Sequence, residues 1–186
     1  MPVSEETYKR ISLEDPDGHW ELHDGCLVQK PIMTLEHNDV QTALAQQLLA
    51  QLSLTEFVLR MDNTVVRRSE TRYYIPDLMV VSRDVARREF PEPRTWEAYT
   101  QPLLLVVEVW SPSTGRYDLT EKLAQYQQRG DVEIWLLHPY DKTLRMWRRQ
   151  PDGGYSEEPF ATGGVIEPIG LPGVRVDLDA IFAFVP

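Results

Sequence analysis

Two carboxylates stand where an apolar strand has little use for them. Asp77 follows YYIP and precedes LMVV, and Glu108 interrupts LLLVVEV, where every other residue from 103 to 109 is Leu or Val. An ionised carboxylate in such surroundings costs several kcal/mol unless a cation or hydrogen bonds compensate. Strand alternation puts Glu108 on the face of Val106 and Leu104. If the 72–82 run pairs beside the 103–110 run, Asp77 and Glu108 converge near the strand ends. Two carboxylates at one point raise at least one pKa unless a divalent cation lies between them. Oxygen ligands of this kind suit Mg²⁺ or Mn²⁺, with water completing the shell. The alternative for Glu108 is a strand end at the surface, or a pair with an arginine.

The segment after Glu108 adds a cation. SPSTGRYDLTEKLAQY supplies a capping turn and then a helix with Asp118 and Lys122 four residues apart on one face. Exposed, that pair contributes only about 0.3–0.5 kcal/mol. Turned back toward the strand, the Lys122 ammonium stands over Glu108, where it can orient an attacking water or stabilise charge developing on a phosphate. His19, His23 and His138 have no metal-ligand spacing with one another and read as surface or loop residues. His37, near the start of a helix, reads as a satisfied structural histidine. Ser111, Ser113 and Thr114 lack a G-x-S-x-G context and a partner histidine, so capping is their reading. Tyr73 and Tyr74 beside Arg72 could stack on bases, although core packing suits a run so apolar. No phosphate loop or dinucleotide fingerprint occurs.

The elements that must position these groups are legible in outline. Residues 4–12 read as a short helix begun by Ser4, and 19–30 as a hairpin turning on Asp24-Gly25. Residues 34–53 carry Val40, Leu44, Leu48 and Leu52 at helical spacing. Strand-like runs cover 57–61, 63–68, 72–82 and 103–110, the last apolar enough to be covered on both faces. A second helix spans 113–129 and ends at Gly130, with Leu119, Leu123 and Tyr126 on one stripe. Residues 132–137 and 143–149 flank a tight connection, and the tail reads as a turn, a strand and a helical turn. The pattern implies an α/β fold, bordering on α+β, built on a mixed sheet.

Length and composition set the class. The 186 residues suit a single domain over 1–186, and 42% apolar with 26% charged residues is ordinary for a globular chain. The lone cysteine, Cys26, excludes an intrachain disulfide and a cysteine-rich zinc site. No apolar run is long enough to span a membrane, and acidic residues stand where a signal peptide would be basic, so a cytoplasmic location is expected. The net charge of −10 is unevenly spread: residues 60–94 hold eight arginines against six acidic side chains. Either these arginines are solvated singly, or they form a phosphate-facing patch.

The motifs together resemble a known family. PD at 76–77, Glu108 in an apolar strand and a following lysine resemble the PD-(D/E)xK nuclease superfamily. More specifically, WELHDG (20–25), PIMTLEH (31–37), IPDLMVV (75–81), VVEVWSPST (106–114), DLTEKLAQY (118–126) and VEIWLLHP (132–139) resemble the Uma-two family, over about residues 4–182. The resemblance implies a restriction-endonuclease-like core of mixed sheet and flanking helices, with an N-terminal hairpin added. It implies a metal, Mg²⁺ or Mn²⁺, on Asp77 and Glu108, with Glu21 beside the same pocket as a further acidic group. Trp110 fills the place of the superfamily's lysine two residues after Glu108, so the catalytic lysine role falls to Lys122. His37 becomes a pocket candidate, and with Arg67, Arg72, Ser113 and Asp118 a candidate for substrate contact. The expected activity is Mg²⁺-dependent endonucleolytic hydrolysis of nucleic acid, DNA before RNA. The alternative is a non-catalytic module of the same fold that binds nucleic acid or protein, and exposed apolar strands would suit a homodimer.

Overall fold

The structure is a computed structural model and describes residues 2–161 and 163–185. Its centre is a six-stranded sheet built from β3 (Phe57–Met61), β6 (Leu78–Ser82), β8 (Leu105–Val109), β9 (Glu133–His138), β10 (Thr143–Arg149) and β11 (Tyr155–Ala161). Their order is β11-β10-β9-β8-β6-β3. Only the β8–β9 pair is parallel; the other pairs run antiparallel, so the sheet is mixed as expected. The parallel pair needs a crossover. Here it is α4 (Gly115–Tyr117), a π-helical turn (Asp118–Lys122) and α5 (Leu123–Arg129), ended by Gly130 at φ +80°.

A second sheet, β2-β1-β5-β4-β7, holds the N-terminal hairpin of β1 (Trp20–His23) and β2 (Cys26–Gln29), with β4 (Val65–Ser69), β5 (Arg72–Tyr74) and β7 (Ala98–Tyr99). The hairpin turns on Asp24 and Gly25, both at positive φ (49° and 81°), the conformation that favours this dipeptide. The tail adds a small pair, β12 (Val165–Ile166) and β13 (Val176–Asp177), and α6 (Leu178–Phe182).

The run 72–82 is not the single strand its composition predicts. It divides into β5 in one sheet and β6 in the other, with Ile75, Pro76 and Asp77 at the crossing. Pro76 has no N–H for a ladder, so the chain changes sheets there. Asp77 therefore sits at a strand end, where its carboxylate can reach both faces. The helix over 34–53 is shorter than its periodicity suggests: α2 spans Leu35–Leu49, capped by Thr34, and Leu52 is buried beyond it.

Two apolar layers cover the central sheet. On one face, Val40, Leu44 and Leu48 of α2 and Ile181 and Phe182 of α6 pack on Leu78, Val80, Leu105, Val107 and Trp135. On the other, Tyr126, with Leu119 and Leu123 beside it, packs on Met79, Val81, Val106, Ile134 and Leu136. Glu108 points into this second layer. Burial of the β8 side chains on both faces fits its near-continuous apolar sequence.

Candidate active site

The β6–β8 register brings the two expected acids to neighbouring strands. Leu78 pairs with Val107, so Asp77 and Glu108 lie one step further on, opposite each other in the same register. The Asp77 carboxylate fastens the two strand ends: Oδ2 accepts the Val109 N–H at 2.6 Å. The same oxygen faces His37 Nε2 of α2 at 3.0 Å, and Oδ1 accepts from Lys30 Nζ at 2.6 Å. Burial works against this charge, but Lys30 and His37 outweigh it and hold Asp77 well below the usual carboxylate range. An ionised Asp77 only accepts, which makes His37 Nε2 the donor.

Glu108 is buried without that help. Its Oε1 accepts from Tyr126 Oη at 2.5 Å and from Lys122 Nζ at 3.2 Å. Desolvation dominates over Lys122, and Asp118 and Asp77 add repulsion, so its pKa is pushed well above the ordinary value. Lys122 is the hub of the acidic cluster, 3.0 Å from Glu21 Oε1, 3.2 Å from Glu108 Oε1 and 3.5 Å from Asp118 Oδ1. Burial alone would depress the Lys122 pKa; the carboxylates reverse that and keep it charged. The exposed i,i+4 pair considered for Asp118 and Lys122 is therefore not what forms: both are buried, 4% and 3% exposed. The π-helical turn that begins at Asp118 and ends at Lys122 is the local device, and such turns recur at functional sites.

Glu21 enters from β1, on the strand face it shares with His23. It accepts the Ile75 N–H at 2.8 Å, and although burial opposes its charge, Lys122 and then His23 hold its pKa down to about 2. His23 corrects the surface assignment made from spacing. It is half-buried, with Nε2 2.8 Å from Glu21 Oε2 and 2.9 Å from Tyr117 Oη, and its ring stacks on Tyr117. Spacing could not find it, because Tyr117 arrives from a distant helix. Lys30, buried against Asp77, was equally invisible: nothing in VQKP distinguishes it from a solvated lysine.

A cleft of about 330 Å³ is lined by Glu21, His23, Lys30, Ser113, Asp118 and Lys122, among others, while Asp77, Glu108 and His37 are buried and do not line it. Ser113 is thus at the cleft, but it is not the helix cap: Ser111 Oγ accepts the Thr114 N–H at 3.2 Å and also bonds Ser113 and Thr114. Arg67 and Arg72 are not among the cleft residues. Arg67 is held by Glu5 and Tyr73, and Arg72 by Asp24 at the hairpin turn. The arginines of 60–94 do not form one free patch either, since Arg60 pairs with Glu97 and Arg83 donates to the Leu54 and Phe57 carbonyls. Trp110 stacks on His138 with centroids 4.3 Å apart, away from the carboxylates. A Cβ on Gly115 would run into that indole. Gly115→Ala is therefore expected to lower stability by about 1–3 kcal/mol, the usual cost of overpacking, read as a shift in the urea midpoint.

The donor set fits a hard divalent cation. Among the described residues no three acidic or imidazole side chains form a cage by themselves. Mg²⁺ does not need one, because it typically takes one or two carboxylates and keeps its waters. Asp77 and Glu108 offer two carboxylates, and Asp118 Oδ1 is buried with no hydrogen-bond partner, despite lying within ion-pair range of Lys122. A buried oxygen left so is costly and marks a place short of positive charge or water.

Comparisons with known proteins speak to the family and the fold. The family model Uma2, described as "Putative restriction endonuclease", matches residues 5–179. No curated protein matches the chain. Among solved structures, it is similar to a protein described as a putative nuclease belonging to DUF820, from Anabaena variabilis ATCC 29413. The TM-score is 0.75 at 15% identity, with 100% of both chains covered. At that identity the likeness speaks for the fold.

Proposed function

This chain belongs to the Uma2 family and has the restriction-endonuclease-like fold, and from that premise we propose that it is a divalent-metal-dependent endonuclease acting on DNA. The observation that carries the reading is the meeting of Asp77 and Glu108 across one strand pair, with the Lys122 ammonium 3.2 Å from Glu108. Asp77 and Glu108 would hold Mg²⁺ or Mn²⁺, with Glu21 in support through Lys122. When bound, the cation supplies Lewis acidity toward a phosphoryl oxygen and acidifies water.

The protein's own groups do the rest. Asp77 is held ionised and fixed in orientation by three donors, so its carboxylate is positioned before a cation arrives. Lys122, held charged by its carboxylates, stabilises the negative charge that builds on the phosphate as the bond to the leaving oxygen breaks. His23 lies at the cleft wall within reach of Glu21 and Tyr117, where it can pass a proton to the departing oxygen. The acidic net charge of −10 means that binding to nucleic acid depends on few contacts and on the cation.

A nicking assay on supercoiled plasmid tests the proposal. Wild type with Mn²⁺ is expected to relax the plasmid, EDTA to stop it, and Glu108→Ala to reduce the rate by at least a hundredfold. Glu108→Ala is the right control because burial penalises the Glu108 carboxylate and its loss leaves Lys122 paired with Glu21 and Asp118, so the fold is expected to stand. Equal nicking by both proteins would identify a contaminant and end the nuclease reading. A labelled RNA in the same series decides between the two polymers.

A further inference from the structure

Lys30 takes no part in the proposed chemistry, yet it makes one of the two shortest contacts to the Asp77 carboxylate. Its Nζ donates to Asp77 Oδ1 at 2.6 Å and to Asp62 Oδ1 at 3.0 Å, from a side chain only 5% exposed. The other oxygen of Asp77 is filled by the Val109 N–H and His37. A carboxylate oxygen accepts about two hydrogen bonds. Among the described residues, Oδ1 is therefore the oxygen with a lone pair to spare, and Lys30 already sits on it. A divalent cation arriving at Asp77 must share that atom with an ammonium, which repels it strongly in a poorly solvated cleft.

The second partner of Lys30 completes the device. Asp62 is one-third exposed, and Gln41 Nε2 clamps its Oδ2 at 2.6 Å while donating at 2.6 Å to the Asp77 carbonyl. The ammonium thus has two seats, one on the expected metal ligand and one on a carboxylate outside the cluster. We propose that Lys30 is a resident cation that competes with the divalent metal for Asp77 and shifts onto Asp62 when the metal binds. This keeps the buried cluster charge-compensated in the absence of metal and sets the metal affinity. The inference rests on the metal reading of the site.

Calorimetric titration of Mn²⁺ into the full chain tests it without any reliance on cleavage. Lys30→Met is expected to bind Mn²⁺ at least about tenfold more tightly than wild type. Lys30→Arg, which keeps the charge, should stay within about threefold of wild type, and so should Lys9→Met, which removes a remote cation. Should Lys30→Met fail to fold by circular dichroism, Lys30→Gln keeps a donor beside Asp77 without the charge and is expected to tighten binding in the same way. Equal or weaker binding by the neutral variants, with wild type binding normally, overturns the role of Lys30 alone. No Mn²⁺ binding by any of the proteins removes the metal site, and this inference with it.

Discussion

Lys122→Met is expected to lower the melting temperature of the metal-free protein by roughly 10 °C. The ammonium is buried among Glu21, Glu108 and Asp118 at 3.0–3.5 Å. Removing one member of a buried ion cluster leaves uncompensated charge and costs about 3–5 kcal/mol. For a chain of this size each kcal/mol moves the midpoint by about 2–4 °C. The lost positive charge should also draw in a divalent cation, so Mn²⁺ is expected to restore part of the melting temperature by mass action. Cleavage is not expected to return with it, because the proposed mechanism has Lys122 face the developing phosphate charge. A melting temperature within about 1 °C of wild type would show that the lysine is not the hub of the cluster. Full turnover by the variant would remove it from the chemistry.

The two expected metal ligands should behave oppositely when removed. Asp77→Ala orphans the Val109 N–H and His37 Nε2 and leaves the buried Lys30 with Asp62 alone, so a loss of about 3–5 kcal/mol is expected. Glu108→Gln removes a carboxylate that burial penalises, so no loss, or a gain, is expected near neutral pH. The pH profiles follow from the directions of the shifts. Glu21, held down to about 2, stabilises the fold above the unfolded value of 4.5 and loses that contribution as pH falls through 2. Asp77, held lower still, acts with the same sign. Glu108, raised above 4.5, contributes fully below that value, and its contribution declines as pH rises toward the folded pKa. Urea midpoints at pH 5 and pH 8 therefore discriminate: the advantage of Glu108→Gln over wild type should grow with pH. An advantage that shrinks with pH would mean that Glu108 is ionised and well compensated in the metal-free fold.

Much of the candidate site is legible in the sequence. A carboxylate inside LLLVVEV is a physical anomaly in any sequence, and anomalies of that kind gather at sites. Asp77 needed the resemblance as well, since PD is common and a strand broken by Pro76 reads as continuous from composition alone. Glu21 came from the WELHDG match and from nothing in its own spacing. The arginine-rich stretch was misleading in one respect. Charge density along the chain does not tell whether guanidinium groups face water or, as with Arg60, Arg67 and Arg72, answer carboxylates brought from elsewhere.

The amino-acid order by itself determined the helices and strands with strong periodicity, the apolar centre of β8, the Asp24-Gly25 turn and the types of group available for chemistry. These are local properties, set by side-chain spacing and backbone preference within about a dozen residues. Tertiary structure decided which groups meet: the sheet change at Pro76 that brings Asp77 to face Glu108, and the π-helical turn that buries Asp118 with Lys122. It also brought His23 to Tyr117 and set Lys30 on Asp77. Those meetings span 47 residues for Lys30 and Asp77 and 94 for His23 and Tyr117. A charge's environment, and hence its pKa and its chemistry, depends on neighbours within a few ångströms, and chain order does not reveal which those are.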